Sequence, residues 1–113
     1  MHRRFFDLLG TPSSRPVWEA PADVFTAGAE TQVAVALPGA EAQDVTVLLS
    51  PTGLSIEADV APPRMGMRMN VVRLEIPYGR MQRHIPLRPG RYELVERRLV
   101  NGCLYLRITE DRT

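Results

Sequence analysis

The sequence predicts an all-β fold, a two-sheet antiparallel β-sandwich of the immunoglobulin-like type. Three observations support this fold class. Apolar and polar residues alternate over seven or eight short runs, which is the period of half-buried strands. Ten prolines and eight glycines separate these runs at close spacing. No run has the length and the apolar period of a long helix, so the layers of the fold are expected to be sheets.

The composition describes one ordinary globular domain and excludes several partners. The chain has 113 residues, 44% hydrophobic and 24% charged, with a net charge of +1. Its charges are interspersed, so no basic face for nucleic acid is expected. No apolar run approaches the roughly 18 residues of a membrane-spanning helix, and the first residues do not form a secretory signal. With a single cysteine, these features predict a cytoplasmic protein.

The chain divides into three parts. Residues 1–16 are predicted to be a short flexible N-terminal arm, residues 17–109 the folded domain and residues 110–113 a short C-terminal tail. An isolated helical turn in the arm is marginal in water, so the arm is either a frayed terminus or an adhesive segment that contacts partners. Its apolar residues are Phe5, Phe6, Leu8 and Leu9.

Three alternating runs predict the strands of the first half of the domain. They cover residues 31–37, 44–50 and 54–60, and the turns after the first two contain Pro38-Gly39 and Pro51-Thr52-Gly53. One side of each run is apolar, as expected for antiparallel sheets with one solvated face. The apolar positions are Val33, Val35 and Leu37, then Val45, Val47 and Leu49, then Leu54, Ile56, Ala58 and Val60.

A methionine-rich segment follows the break at Pro62-Pro63. Within residues 64–70, methionines occupy alternate positions, which is compatible with an exposed loop or with a short edge strand whose methionine face packs on another surface. Strand alternation then resumes over residues 71–76. The residues concerned are Met65, Met67 and Met69 in the methionine row and Val72, Leu74 and Ile76 in the following run.

Three further strands complete the prediction, over residues 81–87, 92–100 and 103–108. The last two are joined by Asn101-Gly102, the dipeptide best suited to a type I′ hairpin turn. In the final strand, one side is formed by Cys103, Tyr105 and Arg107 and the other by Leu104, Leu106 and Ile108.

Few residues suggest catalysis or metal binding. His2 and His84 are far apart in the sequence, and neither has ligand spacing to Cys103 for a zinc site. Cys103 is interpreted either as a nucleophile, which needs an activating base, or as a small half-buried residue on a strand. The second interpretation is favoured. No phosphate-binding glycine motif is present. We therefore expect a protein without catalytic residues, metal or cofactor.

Several motifs resemble the alpha-crystallin domain of small heat-shock proteins, with the pattern of bacterial members. Residues 18–24 resemble the family's "WxPxxDI" motif, and residues 35–39 resemble its "xLPG" turn. Residues 54–56 are similar to its "LxI" strand, and residues 101–104 to its "NGVL" motif. The bacterial pattern "YGxFxRxFxL" is matched by Tyr78, Gly79, Arg83, Ile85 and Leu87. The resemblance covers about residues 17–109 in register.

The resemblance implies an ATP-independent holdase that binds partly unfolded client proteins and forms homodimers or larger oligomers. It implies that a strand from the long loop pairs with a neighbouring subunit; here that strand would include Met65, Met67, Met69 and Val71. It also implies a groove that binds clients or an Ile-x-Ile segment. The groove residues would be Val47, Leu49, Tyr92 and Leu94, with plain core packing as the alternative, and Val45 is expected to belong to the core.

Two departures from the family pattern affect these expectations. No Ile-x-Ile motif follows the last strand, so we expect a dimer or a small oligomer. Arg97 replaces a small residue, and a buried guanidinium requires a partner or a route to solvent. The alternative function is a non-catalytic interaction module with one dedicated partner. A third possibility, an enzyme that uses Cys103, has no further support in the sequence.

Overall fold

The computed structural model describes residues 17–62 and 69–112, which form eight strands and one short 3-10 turn at Ala42–Asp44. This confirms the all-β prediction. The strands are β1 (Val17–Glu19), β2 (Ala22–Ala27), β3 (Glu30–Ala36), β4 (Val45–Ser50), β5 (Gly53–Val60), β6 (Gly79–Pro86), β7 (Arg91–Val100) and β8 (Cys103–Asp111).

The strands form two four-stranded sheets. The first sheet has the order β1-β6-β5-β4, and the second has the order β2-β3-β8-β7. Neighbouring strands are antiparallel except for β1, which pairs in parallel with β6. The edge strands are therefore β1 and β4 in the first sheet and β2 and β7 in the second. Edge strands expose backbone groups that can pair with another chain.

The alternation predicted from sequence fixes which side chains form the core between the sheets. Val33 and Val35 of β3 are buried and pair in register with Leu106 and Leu104 of β8. From the first sheet, β5 contributes the fully buried Ile56. Because each strand alternates, one side of each sheet is apolar and covered while the other is solvated.

The hairpin between β7 and β8 has the predicted type I′ geometry. Asn101 and Gly102 have φ values of 51° and 77°, and a type I′ turn requires a positive φ at both central residues. This turn places Val100 opposite Cys103 and sets the register of the hairpin. At its other end β8 reaches Asp111, past residue 109, the predicted end of the domain, because Asp111 still pairs with Arg91.

The prediction of a strand over residues 71–76 is wrong for the single chain. The segment has no strand structure, and the side chains of Val72 and Ile76 are 93% and 73% exposed. It does not continue into β6, which pairs with β5 on one side and with β1 on the other, and it does not pair with the edge strands β1 and β4. The apolar alternation is present, but the segment has no pairing with a described strand.

Candidate functional site: an open groove between two edge strands

The edge strands β4 and β7 belong to different sheets and lie side by side. At one end, Nη2 of Arg97 donates a hydrogen bond of 2.6 Å to the carbonyl oxygen of Val45. At the other end, the Gly90 N–H donates to the carbonyl oxygen of Pro51 at 3.0 Å. Because the start of β4 contacts the middle of β7 and the end of β4 contacts the start of β7, the two strands run antiparallel. These two hydrogen bonds mark the two ends of a groove that lies between β4 and β7.

The four residues predicted to line the groove lie on these two strands between the end bonds, and all four are half-buried: Val47, Leu49, Tyr92 and Leu94. All but Tyr92 pack against the core, and the Tyr92 hydroxyl donates to the Arg88 carbonyl. Val45 is buried within the core, as expected. The groove is thus a partly open apolar surface. Whether clients bind there remains a prediction.

Alternate backbone N–H and C=O groups of β4 point away from β5, toward the groove. The Val45 N–H bonds to the carbonyl of Ala42, and its own carbonyl accepts from Arg97, so neither group points to β5. In an antiparallel pair, the N–H and C=O of one residue point the same way and alternate along the strand. The N–H and C=O of Val47 and Leu49 therefore face outward too. In the described part of the chain, β4 ends its sheet at this edge.

A β-bulge in β7 explains why Arg97 lies in the groove. The register with β8 shifts between Leu94 and Glu96, so Val95 is an extra residue in β7. After the bulge, Arg97 pairs with the buried Leu106 and shares the inner side of the sheet with Leu94. Without the bulge, strict alternation would place Arg97 on the outer side. From the sequence we expected Arg97 to need a partner or a route to solvent. The bulge and the hydrogen bond to β4 were not predicted.

A second open edge lies at β2. Val24 and Phe25 are both exposed there; Val24 ends the motif of residues 18–24, and Phe25 was not identified from the sequence. The valine, phenylalanine and threonine of β2 are residue types that favour strands. From the predicted loop strand, Met69 is exposed and Val71 is half-buried, neither within a strand. Residues outside the described ranges include Met65, Met67, Phe5, Phe6, Leu8 and Leu9.

The ion pairs of Arg107 lie on the solvated surface of the second sheet. Hydrogen bonds from Gln32 and then Arg107 lower the pKa of Glu30. Arg107 also bonds Glu96, at 3.4 Å, so that it links two acidic residues across the sheet. These contacts stabilise ionised carboxylates. Such carboxylates remain ionised at neutral pH and are unsuited to act as general acids.

The two residues considered for catalysis lie on different sheets. Cys103 is half-buried on β8 opposite Ala36, whereas His84 is exposed on β6 with its Nδ1 3.0 Å from Oγ of Ser55. Both occupy outer sides, because their neighbours Leu104 and Ile85 are buried. They therefore do not form a nucleophile and base pair. Within residues 17–62 and 69–112, no cluster of three potential metal ligands occurs, and no helix has the length and apolarity to span a membrane.

Comparison with known proteins gives matches at the level of structure. No protein-family profile and no curated protein sequence matches the chain. Heat shock protein 16.0 from Schizosaccharomyces pombe superposes with a TM-score of 0.70 at 25% identity, over 81% of this chain and 86% of that one. A small heat-shock protein from Xylella fastidiosa gives 0.69 at 20% identity, covering 85% and 89%. HSP18.5 from E. histolytica gives a TM-score of 0.67 at 18% identity, covering 85% of this chain and 92% of that one.

These matches span bacteria and eukaryotes, so they do not single out the bacterial pattern. They extend over 81–85% of the chain. The chain is therefore an alpha-crystallin-type β-sandwich with the fold of the small heat-shock proteins, as its sequence motifs predicted.

Proposed function

We propose that the protein is an ATP-independent holdase, which covers apolar segments of partly unfolded clients in the groove between β4 and β7. One observation carries this proposal: the groove combines half-buried apolar side chains with an outward-facing strand backbone. Val47 and Leu49 provide both features at once. An extended client segment can add to β4 as a further strand and insert alternate side chains between the two sheets.

Partly unfolded proteins suit such a site because they expose apolar surface and unpaired strand edges. Binding them lowers the concentration of the species that aggregates, by mass action alone. No nucleotide or reactive side chain is needed, so the proposed activity is not enzymatic. The N-terminal arm, through Phe5, Phe6, Leu8 and Leu9, is proposed as a second adhesive segment.

Self-association is part of this proposal. The exposed Val72 and Ile76 continue an apolar alternation that has no strand partner within the described chain, and β2 has an open edge with the exposed Phe25. A second copy supplies both missing partners: its β2 edge can accept residues 69–76 of the first copy, and the reverse. We therefore propose a homodimer in which the loop strand, including Met65, Met67, Met69 and Val71, crosses to the partner.

The holdase proposal is tested by light scattering with several unrelated proteins that aggregate on heating. The intact chain should suppress scattering of each of them. Val47→Asn places a polar amide in the groove and should reduce suppression several-fold, because apolar burial at this position is lost. Leu48→Asn is the matched control, since Leu48 lies on the same strand, is exposed and points to the opposite side.

Three results would count against the holdase proposal. Suppression of a single client among many would favour a dedicated interaction module. Equal loss in Val47→Asn and Leu48→Asn would show that the groove is not the binding surface. Absence of suppression by the intact chain would rule out holdase activity for these clients.

A further inference from the structure

The second sheet has an apolar surface on its outer side, which faces away from the core. Residues next to the buried positions of β3 and β8 point to this side, and the register places them in rows across the strands. In two adjacent rows near the β7–β8 turn, five apolar residues are each half-buried or exposed. They are called the outer patch: Ala34, Ala36, Val100, Cys103 and Tyr105. The outer side of β5 in the first sheet is polar instead, with Ser55, Glu57 and Asp59. Contiguous exposed apolar surface is typical of a protein interaction site.

One row of this side is polarised in both size and charge. It runs across β2, β3, β8 and β7 as Asp23, Ala34, Tyr105 and Arg98. The smallest side chain therefore lies beside the largest, and an acidic residue and a basic residue lie at opposite margins. The guanidinium carbon of Arg98 is 5.3 Å from the centre of the Tyr105 ring, and Arg98 forms an exposed pair with Glu96. Asp23 is exposed and forms no ion pair with another described residue.

We propose that the outer patch binds the outer patch of a second copy of this chain, about a twofold axis that is parallel to the strands and passes between β3 and β8. Rotation about this axis places β2 over β7 of the second copy and β3 over its β8, with each row facing the same row. Asp23 then faces Arg98 of the second copy, and Tyr105 faces Ala34 of the second copy. By symmetry each of these contacts occurs twice.

The row selects this axis over the other twofold axis in the plane of the contact. An axis perpendicular to the strands would place each strand over its own counterpart, so Asp23 would face Asp23 and Tyr105 would face Tyr105. Like charges would repel, and two large side chains would meet where facing sheets are about 10 Å apart. With the parallel axis, the next row places Gln32 opposite Arg107 of the second copy, so no like charges face each other there. Sheets that pack face to face usually have strands aligned within about 30°, which this axis provides.

The contact is independent of the loop exchange, because it uses the outer side of the sheet and leaves the β2 edge open. A dimer formed by loop exchange would still present two outer patches and could associate further. The contact is small: two rows on four strands cover roughly 19 by 14 Å. Stable interfaces bury about 800 Å² on each partner, so we expect this association to be weak and to require a high protein concentration.

Sedimentation equilibrium of the full-length chain over a range of concentrations, without any client, tests the proposal. We expect an association step that persists when Val72→Asp and Ile76→Asp block the loop exchange. Asp23→Arg and Arg98→Asp should each weaken this step about tenfold, because the twofold axis makes each substitution place two pairs of like charges together. The double variant restores opposite charges and should recover the association. Asp59→Arg is the matched control, since it makes the same charge change at an exposed aspartate on the outer side of the first sheet.

The proposal is overturned if the step is missing from the unaltered protein or disappears when the loop exchange is blocked. Equal association of Asp23→Arg and Asp59→Arg would also overturn it, because the outer patch would then not be the contact. A double variant that fails to recover would show that Asp23 and Arg98 do not meet. If Arg98→Asp fails to fold, the comparison of Asp23→Arg with Asp59→Arg decides alone, since both aspartates are exposed. Because no client is present, failure here leaves the light-scattering test of the holdase proposal unaffected.

Discussion

Two segments of this chain have the same apolar alternation and different structures. In β8, Leu104, Leu106 and Ile108 alternate with polar residues and are buried between the sheets. In residues 71–76, Val72 and Ile76 alternate in the same way but are 93% and 73% exposed, and only Leu74 between them packs against the core. The first segment lies between β3 and β7, whereas the second pairs with no described strand.

The difference shows what apolar alternation encodes. Alternation describes a segment that is stable when a strand lies next to it and an apolar layer covers one side. It does not specify that the same chain supplies the neighbour. In β8 both neighbours come from the chain itself: β7 is joined to it by a hairpin turn, and β3 is distant in the sequence. For residues 71–76, we propose that the neighbouring strand belongs to a second copy of the chain.

The largest expected effect is a difference between the two segments in how much a substitution lowers the free energy of unfolding. Leu106→Ala should lower the free energy of unfolding by about 2–5 kcal/mol, because it leaves a cavity in the core. Val72→Ala should change it by less than about 0.5 kcal/mol at low protein concentration, because the side chain is exposed. Urea denaturation followed by the fluorescence of Trp18 measures both. Similar losses in the two variants would show that Val72 packs within the single chain.

The next effect concerns self-association. Val72→Asp combined with Ile76→Asp should weaken the dimer on the order of 100-fold, because two carboxylates without partners would be buried in the interface. Multi-angle light scattering over a range of concentrations measures the change. Arg73→Ser is the matched control, since Arg73 lies between them in the segment and forms only an exposed pair with Glu75. A double variant as dimeric as the unaltered protein would contradict the proposed loop exchange.

The smallest effect concerns charge at the end of β8. A hydrogen bond of 2.7 Å from Arg88 lowers the pKa of Glu110, so ionised Glu110 stabilises the fold above the unfolded pKa of about 4.3. This stabilisation is lost as the pH falls through the lower folded pKa. Glu110→Gln should therefore reduce Tm slightly at neutral pH and not in acid, whereas Glu75→Gln should leave Tm nearly unchanged. An equal Tm deficit of Glu110→Gln at both pH values would contradict this assignment.

The sequence predicted most strands because most neighbours are local in the chain. β4 with β5 and β7 with β8 are hairpins, and Asn101-Gly102 sets the register of the second. The parallel pairing of β1 with β6 was not predictable, because the three residues of β1 have no period of their own. Its position depends on distant contacts, including the bond of 2.8 Å from Trp18 Nε1 to the Tyr78 carbonyl.

The groove was predictable only in part. Resemblance to a known family identified Val47, Leu49, Tyr92 and Leu94, and the structure places them on two adjacent edges. The position of Arg97 depends on a bulge at Val95, which changes the side on which every later residue of β7 lies. The sequence does not show where this one-residue shift falls, since Leu94 and Val95 are both apolar and the three residues that follow are charged.

The exchange of a loop strand between two copies is tested most directly by amide hydrogen exchange of residues 71–76 as a function of protein concentration. The account predicts that these amides are protected where the protein is a dimer and exchange rapidly once dilution produces monomers, while the β8 amides stay protected throughout. Rapid exchange of residues 71–76 in a protein that light scattering shows to be a dimer would contradict it, because the dimer would then form without the strand that the second copy is proposed to complete.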